Sequence, residues 1–200
     1  MNPQTFIFTG RSGCGKGTQG KLLREHLQKM NRDVFYLESG EQFRTLIAGS
    51  SYTSNLSREA MVRGDLQPEF LAVWAWSHIF VEQLKDGQDW ILDGTPRKLH
   101  EARVLHSAFE FYKRPKPIVI FMNVSRQWSI DRMHGRGRAD DMRDSDIEKR
   151  LGWYESEVVP IIENYRKDPF YTFIQVYGER PVEEIAQDII EKLRAVGVTL

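Results

Sequence analysis

The chain predicts an α/β fold in three layers, α/β/α, with a parallel sheet of about five strands at its centre. Three observations carry that prediction. Short apolar runs recur at Thr5–Thr9, Val34–Leu37, Trp90–Leu92, Ile118–Val124 and Phe170–Val176. A stretch with helical spacing separates each run from the next, which is the kind of crossover that parallel strands need. The runs are nearly continuous in apolar residues instead of alternating with polar ones, the pattern of strands covered on both faces.

The elements follow in order. The first strand runs into Gly10-Arg11-Ser12-Gly13-Cys14-Gly15-Lys16-Gly17-Thr18, and a helical pattern extends from Lys16 to Met30. Segment Glu69 to Leu84 has helical length, with Pro68 at its start and Phe70, Leu71, Val73, Trp74, Trp76, Ile79, Phe80 and Val81 inside it. On so apolar a helix Trp74 and Trp76 are read as packing residues and not as a base-stacking platform. The last helix begins at Pro181 with Glu183 and Glu184 in its first turn, where Pro and acidic residues are favoured. No repeat and no Pro/Gly/Ser-rich linker interrupts the chain, so residues 1–200 are read as one domain with insertions.

Strand, glycine loop, helix is the arrangement of a P-loop NTPase. Such a loop turns successive backbone N–H groups inward around a polyphosphate, at a helix start whose unpaired donors and dipole already favour anions. Lys16 adds a point charge for the β and γ phosphates. The residue after Lys16 is Gly17, where the common motif places a magnesium-binding hydroxyl, and Thr18 comes one place later. The metal must then be held by substrate phosphates, water and another carboxylate, which suits magnesium.

Composition narrows the field. Lys plus Arg number 28 and Asp plus Glu 28, so the formal net charge is zero and no general field draws the chain to nucleic acid or an anionic membrane. Phosphate recognition must be local. The single cysteine, Cys14, has no internal disulfide partner and is read as a small filler within the loop. The N-terminal apolar run is too short for a signal peptide or a membrane span, so a reducing cytoplasm is the expected setting.

In open α/β sheets ligands sit beyond the carboxyl ends of the strands. Ser39-Gly40-Glu41-Gln42-Phe43-Arg44 follows the second run, Asp93-Gly94-Thr95-Pro96-Arg97 the third, and after the fourth comes an arginine series ending Gly135-Arg136-Gly137-Arg138-Ala139-Asp140-Asp141. Together with Gly13 to Gln19, these elements resemble the adenylate kinase family of nucleoside monophosphate kinases, in order from about residue 5 to about residue 190. The resemblance implies reversible transfer of the ATP γ-phosphate to a nucleoside monophosphate, with Mg2+ and without zinc. It implies a helical acceptor-binding insertion over 38–67 and a short lid at 134–142, as well as a monomer.

The resemblance also assigns roles. Gly13, Cys14, Gly15, Lys16, Gly17 and Thr18 would cradle the ATP phosphates, and Asp93 would orient magnesium through water. Ser39, Gly40 and Arg44 would form the acceptor's monophosphate pocket together with Gly94, Thr95 and Arg97. Gly64, Asp65, Leu66 and Gln67 would lie against the acceptor base. Arg132 would cover the ATP base, Arg136 and Arg138 would enter from the lid, and Arg150 would reach the phosphates from the next helix. Asp146 and Arg150, four apart, could alternatively make an exposed salt bridge. The loop Tyr177-Gly178-Glu179-Arg180-Pro181-Val182 resembles the one whose backbone touches the ATP adenine. So many arginines suit phosphoryl transfer, which asks for positioning and charge stabilisation and uses guanidinium groups bidentately.

Two departures bear on the reading. One residue separates Arg136 from Arg138, leaving no room in the lid for a zinc-binding insertion, yet the lid must still exclude water and is expected to move on binding. Glu101 stands where adenylate-specific members carry glutamine, and Thr95 replaces a usual phenylalanine. A carboxylate only accepts hydrogen bonds, so it suits adenine N6 but not N1, whereas guanine would offer it two donors and cytosine one. AMP is the leading acceptor, with GMP, CMP or UMP as alternatives, and Glu101→Gln is expected to shift preference toward AMP. A small-metabolite kinase lacks the Ser39–Arg44 and Gly94–Arg97 elements. A non-catalytic nucleotide-binding regulator is the alternative from another class, and intact Lys16, Asp93 and the arginine set speak against it.

Overall fold

A computed structural model describes residues 2–63, 65–114, 116–137 and 143–200. Gly64, Arg138 and most of the expected lid therefore lie outside the described residues. The five apolar runs form five strands, β1 Thr5–Gly10, β2 Val34–Glu38, β3 Asp89–Asp93, β4 Ile118–Asn123 and β5 Thr172–Tyr177. They lie in the order β2-β3-β1-β4-β5, and every pairing is parallel. Helices α1 Lys16–Lys29, α2 Ser39–Ala48, α3 Tyr52–Val62, α4 Glu69–Gln83, α5 Leu99–Phe111, α6 Arg126–Gly135, α7 Asp144–Trp153, α8 Val159–Lys167 and α9 Val182–Ala195 connect and cover them. A π-helical turn at Tyr154–Val158 joins α7 to α8.

Both faces of the sheet are dry, as the continuous apolar runs require. Successive strand residues point to opposite faces. Phe6 and Phe8 of β1 join Ile91, Ile120, Met122 and Val176 against Leu23 and Leu27 of α1 and Ile185, Ile189 and Leu193 of α9. Ile7 of the same strand faces the other way, with Leu37, Trp90, Leu92 and Val119, against Trp76, Ile79 and Phe80 of α4, Leu105 and Phe109 of α5 and Ile161 of α8. Each such fully buried aliphatic side chain contributes about 1.5–3 kcal/mol to the folded state.

Helix α4 divides its tryptophans. Trp76 is 2% exposed in the core, whereas Trp74 is 47% exposed and stacks on His78 with ring centroids 4.3 Å apart. Two residues advance a helix by about 200°, so the pair cannot share one face, and the packing role expected for both belongs to Trp76. The fifth strand starts at Thr172, two residues later than its apolar run, because Asp168 accepts from the N–H of Phe170 at 2.9 Å and holds a turn there. Among the described residues no helix is long and apolar enough to cross a membrane.

With β1 near the centre, the chain builds one side of the sheet with β2 and β3 and the other with β4 and β5. The carboxyl ends of β1 to β4 thus open onto one crevice, where a ligand is expected in sheets of this kind.

Candidate active site

The crevice is a single cleft of about 1390 Å3. It is lined by the phosphate loop, the start of α2, the 93–97 loop, and residues of α3, α6 and α7, with the β5–α9 turn closing one end. The loop after β1 begins at Gly10, whose φ of 144° and position 2.5 Å (for an added Cβ) from the carbonyl oxygen of Met122 leave no place for a side chain. Gly15 is the N-cap of α1, which has neither a side-chain cap nor an acidic residue in its first turn. That is the electrostatic setting of an anion site. Lys16 Nζ donates to the carbonyls of Gly10 (2.9 Å) and Arg11 (2.8 Å) and lies 3.5 Å from Cys14 Sγ, so the ammonium is held over the loop. Gly13, Cys14, Gly15, Gly17 and Thr18 line the same wall, with Cys14 buried as a filler.

Asp93 ends β3 in register with Glu38, which ends β2. Burial raises its carboxyl above the usual range; Lys16 and Arg97 pull it back down while Glu38 pushes it further up. Tyr36 Oη donates to Asp93 Oδ2 at 3.3 Å. Burial, then the Asp93 charge, drives that phenol well above its ordinary value, which keeps it a donor. A Cβ on Gly17 would lie 3.1 Å from Asp93 Oδ2, so the missing side chain leaves open space beside the carboxylate. Among the described residues no three His, Cys, Asp or Glu side chains cluster as metal ligands. This donor set fits a hard cation held largely by phosphate oxygens and water, with Asp93 at its edge.

On the acceptor side, Ser39 Oγ donates to the Gly94 carbonyl at 2.7 Å, tying the end of β2 to the loop after β3. Arg97 Nε donates to that same carbonyl at 2.9 Å. Arg44 Nη2 lies 2.7 Å from Glu38 Oε1, beside Gly40. Gln67 Nε2 donates to the Ser57 carbonyl at 3.0 Å, while its buried Oε1 has no hydrogen-bond partner among the described residues. Asp65, Leu66, Thr95 and Glu101 complete this wall. Glu101 accepts from Thr95 Oγ1 through one oxygen and from the Arg97 N–H through the other, the latter at 2.6 Å.

The arginines converge from three elements. Arg132 on α6 lies over the Trp128 ring at 4.8 Å, Arg136 caps the same helix, and Arg150 comes from α7; all three line the cleft. Asp146 pairs with Arg143 at 2.8 Å. Arg180 reaches the cleft while its Nη2 holds Asp188 at 2.5 Å. Arg143 Nη2 also donates to the Val62 carbonyl at 3.0 Å, and Lys149 Nζ to that of Arg63, so α7 bridges the cleft to the C-terminal end of α3. Of the residues expected at the site, all but Gly64 and Arg138 are described, and those described line one cleft, apart from Tyr177, Glu179 and Pro181 of the loop expected at the adenine.

Several contributors were not singled out from sequence. Glu38 and Tyr36 reach Asp93 only through the β2–β3 register, and the available signal was an acid at the last position of a strand. Arg11 lies 4.2 Å from the Tyr154 ring centroid and 2.5 Å from Glu155 Oε1, fastening the phosphate loop to the π-helical turn. Turns of that kind recur at functional sites.

The sequence model of the family described as "Adenylate kinase" matches residues 8–169. The chain is 31% identical over 192 residues to an adenylate kinase of Prochlorococcus marinus strain MIT 9313, covering 95% of this chain and 98% of that one. It is likewise 31% identical over 190 residues to an adenylate kinase of Synechococcus sp. strain CC9902, covering 94% and 97%.

Proposed function

Because the chain belongs to the adenylate kinase family, we propose that it transfers the γ-phosphate of ATP reversibly to AMP, giving two ADP. The observation that carries this reading is the continuity of the cleft. One space of about 1390 Å3 joins the phosphate loop to the Ser39–Arg44 and Gly94–Arg97 wall, whereas a pocket for one small ligand is about 300–1,000 Å3. There is room for a donor and an acceptor nucleotide end to end.

The residues then divide the work. The phosphate loop and Lys16 hold the donor's β and γ phosphates, while Arg132 and the 177–180 loop flank its base. Arg44 and Arg97 hold the acceptor phosphate in line with the γ-phosphorus. Arg136, Arg138 and Arg150 meet the charge that spreads over the transferring group, which is where phosphoryl transfer needs stabilisation. No general base is required, because the attacking phosphate oxygen is already anionic. Asp93, oriented by Tyr36, would hold Mg2+ through water, and the ion would supply charge neutralisation to the donor phosphates. We place the acceptor-binding insertion at 38–67, spanning α2 and α3, and the short lid at 134–142, in a monomer working in the cytoplasm.

The test is steady-state diphosphate formation with Mg-ATP and a panel of AMP, GMP, CMP, UMP and dTMP, with Lys16→Ala as control. Turnover dominated by AMP and reduced at least about a thousandfold by Lys16→Ala is expected; a unit charge about 4 Å from a phosphate oxygen at an effective dielectric near 20 is worth about 4 kcal/mol. ATP binding without diphosphate production from any acceptor would refute the reading.

A further inference from the structure

Glu101 is 3% exposed and Thr95 2%, and both line the acceptor side of the cleft. A buried carboxylate is costly unless its oxygens are satisfied. Here both are. One accepts from Thr95 Oγ1, the other from the Arg97 N–H at 2.6 Å, and the carboxylate sits in the first turn of α5, where the helix dipole favours an anion. Helix α5 has no side-chain cap at its N-cap residue Lys98, so Glu101 also links the helix start to the loop that leads into it.

These contacts form a closed circuit. Glu101 holds the backbone of Arg97, the Arg97 side chain returns through Nε to the Gly94 carbonyl, and Ser39 Oγ anchors that carbonyl from the start of α2. Arg97 is thereby held both at its backbone N–H and at its Nε. Thr95 supplies the second donor that a carboxylate needs and that a phenylalanine lacks, which accounts for finding threonine and glutamate together.

We infer that Glu101, paired with Thr95, is a positioning residue that sets the Arg97 guanidinium against the acceptor phosphate, and that it does not select the acceptor base. The inference rests on the phosphotransfer reading above. It reverses the expectation drawn from sequence, in which Glu101 faces the base and its replacement by glutamine shifts preference toward AMP.

The glutamine variant separates the two roles. An amide in the same place accepts from the Arg97 N–H through its oxygen and donates through its NH2 to a rotated Thr95 hydroxyl, because a hydroxyl works in either direction. Initial rates with AMP and GMP are measured for wild type, Glu101→Gln, Glu101→Ala and Thr95→Val, each well below its unfolding temperature. Glu101→Ala is expected to raise KM for AMP about tenfold and lower kcat about tenfold or more, with KM for ATP within about twofold, because positional errors in a phosphate clamp are felt in both parameters. Glu101→Gln should restore both parameters to within about threefold of wild type with the AMP-to-GMP ratio unchanged. Thr95→Val should raise KM for AMP about threefold or more while sparing ATP, and it carries the test if Glu101→Ala does not fold.

A change of about tenfold or more in the AMP-to-GMP ratio on Glu101→Gln overturns the inference, as does a normal KM for AMP in Glu101→Ala or, if that variant does not fold, in Thr95→Val. Wild-type protein that makes no diphosphate defeats the phosphotransfer reading itself. An active wild type with an indifferent Glu101 defeats only the present inference.

Discussion

Arg32→Ala tests how the site is held at its far end. Asp89 opens β3, the strand whose last residue is Asp93, and its side chain is 2% exposed. Arg32 Nε lies 2.5 Å from Asp89 Oδ2 and Nη2 donates to Oδ1 at 2.6 Å, while the Gln4 N–H donates to the same Oδ1 at 2.6 Å. Arg32 also donates to the Thr199 carbonyl at 2.9 Å, so one side chain fastens β3, the N-terminus and the C-terminus. Removing it leaves a buried carboxylate with the Gln4 N–H, a loss worth about 3–5 kcal/mol. Arg114, itself buried and bonded to Thr5 Oγ1 at 2.9 Å, contributes a nearby positive charge and keeps the loss near the lower figure, about 3 kcal/mol. For 200 residues the unfolding entropy is about 0.4 kcal/mol per degree, so Tm should fall by about 7 °C. Urea and thermal unfolding followed by circular dichroism measure both quantities. Replacing both partners, Arg32→Met with Asp89→Val, should recover at least half of the loss, since two apolar groups strand no charge. Turnover of folded Arg32→Ala at 25 °C should stay within about twofold, because the pair lies at the opposite end of β3 from the cleft. A loss below about 1 kcal/mol, or a double variant no better than the single one, would refute this account of the pair.

Two further outcomes are expected. Gly178→Ala places a Cβ 2.7 Å from Val124 Cγ1, a stiff β-branched side chain, so the 177–180 loop must shift relative to Val124; KM for ATP should rise about tenfold with KM for AMP little changed, and a uniform change in both would argue against the loop's assignment to the donor base. Burial pushes Asp188 upward, but hydrogen bonds from Lys192 and Arg180, with their charges, outweigh it and hold its carboxyl below the ordinary 3.8. A depressed carboxyl contributes stability above its unfolded pKa and loses that contribution as pH falls through the folded value. Asp188→Asn should therefore lower the urea midpoint at pH 7, with the difference from wild type narrowing as pH drops below about 4; a gap that is constant down to pH 2 would contradict the linkage.

Much of the site was legible because its chemistry is written in contiguous stretches. Gly10 to Thr18 and Asp93 to Arg97 each carry several contacts within nine residues or fewer, and each begins on the last residue of a strand, so strand-end geometry alone sends them to the same edge of the sheet. Glu38 and Tyr36 were missed because their value depends on a neighbour more than fifty residues away in sequence. Glu101 was singled out, but its contacts with Thr95 and Arg97 were not legible: its residue type tells only that it accepts, and the fold decides which donors reach it.

The sequence by itself determined the strand and helix pattern, the parallel sheet, the phosphate loop and the family, because periodicity and short motifs depend on residues near one another along the chain. Only the tertiary structure decided that Trp76 is core while Trp74 faces solvent, that Glu38 stands beside Asp93, that α7 bridges to α3, and that Glu101 closes on Thr95 and Arg97. Those are matters of register and three-dimensional proximity, set by the packing of helices against two dry sheet faces and not by any local preference of the chain.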